Sequence, residues 1–160
     1  MRRKRSQNER ETTRKQWLLI GTGLLAAVLA IGAIGCGDTP VVGVRLFEFS
    51  VIPNTNTVSP GDLTLEAVND GSEEHELVVI RTDLAADALP TNDDGSVDEA
   101  QVEVIGKIEK FAPEGTGSTT IDFEVGSYVL ICNLVTEQAG AEPDIHYALG
   151  MRLNFEVIEE

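Results

Sequence analysis

Apolar and polar positions alternate along much of the chain beyond residue 43, in short runs broken by Gly, Pro, Asn and Asp. Alternation with period two puts every second side chain on one face, so each run predicts a β-strand resting on a core. Three runs are clear. "LTLEAVN" turns Leu63, Leu65 and Ala67 inward, "STTIDFEV" from Ser118 turns Ile121, Phe123 and Val125 inward, and "MRLNFEVIE" sets Leu153, Phe155 and Val157 opposite Arg152, Asn154 and Glu156. "VRLFEFSVIP" is largely apolar on both faces and reads as one covered strand ended by Pro53. "HELVVIRT" and "SYVLIC" hold unbroken apolar stretches, the pattern of central strands, and "EVIGKIEKF" from Glu103 adds another. With turn chemistry such as "NTNTVSPGD" and "NDGSEE" between them, these runs predict an all-β domain over residues 44–160: a Greek-key β-sandwich of about seven to eight strands.

Residues 83–101, "DLAADALPTNDDGSVDEAQ", break the rhythm. Pro90 and Gly95 forbid one continuous helix, so an irregular insertion with at most single helical turns is expected. Its acids do not make a calcium loop. Aligning "NDDG" on that pattern puts Pro90 at the first ligand and Gln101 at the closing glutamate. A solvated acidic loop is the expectation.

Charge divides the chain. The first 35 residues carry seven Lys/Arg against two acids, with all the basic residues ahead of an uncharged apolar run at 17–35. This is the layout of an export signal. "AIGC", ending at Cys36, resembles the bacterial lipoprotein signal, which implies lipidation of Cys36; Ala33 stands where that pattern usually has Leu. The 19 uncharged residues are also long enough to remain as a membrane anchor. Either reading makes 1–35 a signal peptide or anchor and 36–43 a tether, and tethers the domain to the outer face of the bacterial cytoplasmic membrane. Residues 36–160 hold five basic and 25 acidic side chains, a net charge of −20. Such a surface repels phosphates and excludes nucleic acid as a partner.

The part beyond Cys36 offers few side chains for demanding chemistry: His75, Cys132, His146 and Met151. All four fall at strand ends or in adjoining loops, where a sandwich can gather them at one pole. Two imidazoles, a thiolate and a weak axial thioether suit copper cycling between its oxidation states. Structural zinc would want more thiolates, and Cys-His nucleophilic catalysis would leave a His and the Met idle.

These residues carry a resemblance. "NDGSEEHELVVIRTD" is similar to the segment around the first histidine ligand of the plastocyanin- and azurin-like cupredoxins, and "YVLICN" with "HYALGMRLNFEV" resembles their Cys-His-Met ligand loop and final strand. The resemblance implies one type 1 copper held by His75, Cys132, His146 and Met151, in a protein that carries single electrons and is not an enzyme. It also implies that His146 lies near the surface as an electron exit, beside Glu137, Glu142 and Asp144. The sequence departs from the family twice. Thirteen residues separate Cys132 from His146, where the family has only a few, and Glu76 stands where many members have Asn. A monomeric domain with a basic-surfaced redox partner is the expectation. A copper store or delivery module, and a metal-free interaction domain, are the alternatives.

Overall fold

The computed structural model describes residues 37–159; the expected signal or anchor and the Cys36 lipidation site lie outside the described residues. In chain order the elements are β1 (Val41–Phe47), β2 (Ser50–Pro53), β3 (Thr57–Val58), β4 (Gly61–Asn69) and β5 (His75–Arg81). A 3-10 turn at Glu99–Gln101 follows, then β6 (Glu103–Phe111), β7 (Thr116–Phe123) and β8 (Gly126–Ile131). The chain ends with β9 (Val135–Thr136), β10 (Asp144–Ile145), the one-turn helix α1 (His146–Leu149) and β11 (Arg152–Val157).

Two sheets form the sandwich, ordered β2-β1-β4-β7 and β3-β11-β8-β5-β6, and β9 pairs with β10 as a separate ribbon. Among the described residues eight strands exceed two residues, which agrees with the count expected from the sequence. The sheets are mixed, because β1 runs parallel to β4 and β11 parallel to β3. Between them lie Val42, Val44, Leu46, Leu63, Leu65, Ala67 and Phe123 from one sheet against Leu77, Val79, Leu130, Phe155 and Val157 from the other. The inward sets expected for β4 and β11 are buried as read, apart from a partly covered Leu153.

Three local readings are corrected. "VRLFEFSVIP" is not one strand: it folds back after Phe47, pairing Leu46 with Val51 and Phe47 with Ser50. Its first arm begins at Val41, inside the expected tether, and buries Val42, Val44 and Leu46. The other face carries Arg45, which cannot enter a dry core unpaired; it stays outside, bonded to Asp70 at 2.6 Å and resting on the Phe47 ring. Val125 falls in the turn after β7 and is exposed. The 83–101 segment is irregular, with one 3-10 turn and most of its acids exposed, as expected, but it is more than a solvated loop. Leu89 and Val97 are buried with Tyr147 against Val78, Ile80, Val129 and Ile131, on the outer face of the β8-β5 pair. This cover explains why β5 and β8 are apolar on both faces.

Candidate metal centre

Strands β5, β8 and β11 are neighbours, with β8 antiparallel to both, so the start of β5, the end of β8 and the start of β11 meet at one end of the sheet. His75 opens β5, Cys132 follows β8, and His146 and Met151 bracket the turn into β11. Backbone bonds fix their spacing. The Cys132 N–H donates to the Met151 carbonyl at 3.0 Å, and the Met151 N–H donates to the His146 carbonyl at 2.9 Å. Gly150, with φ of 125°, stops the single helical turn and lets the chain enter β11.

His75, Cys132 and His146 are all fully buried, with donor atoms facing one another. The two Nδ1 atoms are 3.2 Å apart, and Cys132 Sγ lies 3.4 Å from Nδ1 of His146 and 3.9 Å from Nδ1 of His75. A triangle with these sides has a centre about 2.0 Å from every corner, matching the roughly 2.0–2.3 Å bonds of first-row metals to nitrogen and sulfur. Burial pushes the Cys132 thiol up to about 11, although N–H bonds from Glu76 and Leu134 work the other way. His75 is pulled below its ordinary value, first by burial and then by the charge His146 would carry. Without metal the thiol therefore keeps its proton among the imidazole nitrogens, and a soft cation that takes its place can engage all three donors. Met151 is fully buried in the same core cluster as Cys132.

The thirteen-residue spacing does not loosen the site. Ribbon β9-β10 pairs Thr136 with Asp144 and Val135 with Ile145, and the His146 N–H donates to the Leu134 carbonyl at 3.0 Å. The insert is pinched at its base. Only Asn133 and Leu134 separate Cys132 from the ribbon, while residues 137–143 project beyond it.

Around the donors lies a polar shell that the sequence reading did not single out. Nε2 of His146 is 3.1 Å from a Glu73 carboxylate oxygen and 3.0 Å from the Thr136 hydroxyl. Gln138 donates to Glu73 at 3.2 Å and to Asp144 at 2.9 Å. His146 is therefore sealed, which corrects the expectation that it lies near the surface. Nε2 of His75 approaches Glu48 at 3.3 Å, too poorly aligned for a hydrogen bond. Burial would raise the Glu48 carboxyl, yet N–H groups of Glu73 and Ser72 and the nearby His75 hold it below its usual range. Fully buried Asn69 supports this turn, donating to the Glu73 and Phe111 carbonyls and accepting from the Gly71 N–H. A side chain at Gly71 would collide with the Glu48 carboxylate and come within 2.8 Å of His75 Nε2.

Glu76, the second departure from the family, joins the ligand segments in its own way. Its N–H donates to Cys132 Sγ at 3.4 Å, and its carboxylate accepts from the Asn133 backbone and sits 3.1 Å from Lys107. Burial raises this carboxyl and Lys107 opposes the rise. The Asn133 side chain in turn bonds both backbone groups of Val97, and the Tyr147 hydroxyl donates to the Ala86 carbonyl at 2.8 Å. The 83–101 cover is thus stitched to the residues that follow Cys132 and His146. Asn69 in "NDG" is a familiar turn signal; Glu48, Glu73 and Gln138 had no such mark in so acidic a chain.

No protein-family model matches the chain, and no curated protein matches it. Solved structures do. Auracyanin B aligns over 77% of this chain and 93% of its own, at 20% identity and a TM-score of 0.52. Dithionite-reduced auracyanin from the photosynthetic bacterium Roseiflexus castenholzii aligns over 77% of this chain and 100% of its own, at 17% identity and a TM-score of 0.51. The fold is that of the cupredoxins. In this fold the buried donors of His75, Cys132 and His146 lie close enough together to hold one metal ion.

Proposed function

We propose that this chain is an exported, membrane-tethered type 1 copper protein that carries single electrons between redox partners. The observation that carries the reading is the buried triangle of two Nδ1 atoms and one Sγ, with a centre that matches metal-ligand distances. His75 and His146 would hold the copper through nitrogen, Cys132 through its thiolate and Met151 through its thioether, and the metal would supply a one-electron couple. The protein's part is to keep the donors still: β5, β8 and β11 fix their backbones, and the pinched ribbon restores a tight connection from Cys132 to His146. A site held in this way resists rearrangement on electron transfer, which favours a carrier over a store. Tethering rests on the basic head, the apolar run and Cys36, and the −20 charge of residues 36–160 favours a basic partner.

The test is to add one equivalent of Cu(II) to the purified protein, then ascorbate, then a mild oxidant. A carrier gives an intense thiolate-to-copper band that bleaches and returns. Bound but nearly colourless copper indicates a store or delivery module, and absence of binding leaves a metal-free interaction domain.

A further inference from the structure

His146 differs from a bare surface ligand in one respect: its outer nitrogen is enclosed. Glu73 and Thr136 both reach Nε2, and Gln138 steadies Glu73 from the inserted hairpin. With Nδ1 committed to the centre, Nε2 carries the ring proton and donates it to these oxygens. The carboxylate is the stronger acceptor, and it brings a negative charge. Glu48 stands behind His75, at 3.3 Å from its Nε2, but without a hydrogen bond. Each imidazole therefore has its inner nitrogen toward Cys132 and a carboxylate behind it. Lys107, near Cys132, is already shared by Glu76 and Glu99, and among the described residues no Lys or Arg forms an ion pair with Glu48 or Glu73. The charge behind the imidazoles is not offset.

Building on the copper reading, we propose that Glu73 is a positioning residue that fixes His146 and lowers the reduction potential of the site, with Glu48 acting likewise and more weakly on His75. A carboxylate hydrogen-bonded behind a ligating imidazole raises its basicity, and a nearby negative charge favours the doubly charged ion over the singly charged one. The inserted hairpin then has a task. Thr136 and Gln138 exclude water from Nε2 and keep Glu73 aimed at it, so the charge acts at short range in a dry place.

The experiment is spectroelectrochemistry on the copper-loaded full chain and its variants. Glu73→Gln keeps the shape and can still accept from Nε2, so only the charge is lost. The expected result is about a tenfold fall in preference for Cu(II) over Cu(I), read as a rise of about 59 mV for a one-electron couple. Thr136→Val should shift the potential far less, and Glu48→Gln should raise it by less than Glu73→Gln. An unchanged or lower potential in both Gln variants, with the wild-type charge-transfer band retained, overturns the inference and leaves the copper reading standing. A wild-type chain that takes up no copper overturns that reading, and the inference with it. Equal rises in Thr136→Val and Glu73→Gln also overturn it, because they would trace the effect to packing rather than charge.

Discussion

At the scale of single residues, the titration of Cys132 sets how the centre takes up metal. Its thiol is pushed up to about 11, so at pH 7 it keeps its proton until metal displaces it, whereas His75 is already neutral. Copper uptake at pH 7 should release about one proton, and affinity should rise about tenfold per pH unit until the thiol range is reached. Calorimetry in buffers of different ionisation enthalpy measures the release; binding without it would remove Cys132 from the ligand set. His75, Cys132, His146 and Met151 are legible in the sequence because such side chains are scarce in this chain. Their supports are not: Glu48 and Glu73 are two acids among 27, and only the fold shows that they reach the outer nitrogens of the histidines. Gly71→Ala is the sharpest steric probe. The added methyl meets Glu48 and His75 together, so copper affinity should drop at least tenfold by equilibrium competition with a chelator.

At the scale of elements, period-two alternation located β4, β7 and β11 because each buries one face only. It misled at residues 44–53, where both faces are largely apolar and the alternation carries no mark of the fold-back between Phe47 and Ser50. Two-residue strands such as β3, β9 and β10 are too short to carry a period. The pinch at the base of the insert was therefore invisible, although it decides how Cys132 and His146 meet. The 83–101 cover was hidden for a related reason: its many acids mask the two side chains, Leu89 and Val97, that bury it. Tyr147 ties this cover to the metal loop by donating to Ala86 and accepting from the Leu89 N–H. Tyr147→Phe leaves both backbone groups short of a partner, and should cost about 1–3 kcal/mol in denaturant unfolding of the metal-free protein. A change within a few tenths of a kcal/mol would mean that the cover does not lean on the metal loop.

At the scale of the whole molecule, a strongly acidic body surrounds a buried centre that makes no direct contact with solvent. The exposed Glu137 and Glu142 on the projecting part of the insert extend that charge over the metal end. Association with a basic redox partner should therefore slow steeply as ionic strength rises, while electron exchange with a small neutral reagent should not; stopped-flow rates between low and physiological salt separate the two. Equal salt dependence for both reagents would contradict docking by charge. The central claim, however, is that His75, Cys132 and His146 hold one type 1 copper, and the optical and electron paramagnetic resonance spectra of Cu(II) added to the wild-type chain and to Cys132→Ser test it most directly. An intense visible thiolate band with one copper per chain in the wild type, absent from a folded Cys132→Ser, is the predicted result. Survival of that band in the serine variant, or its absence from the wild type, would contradict the account.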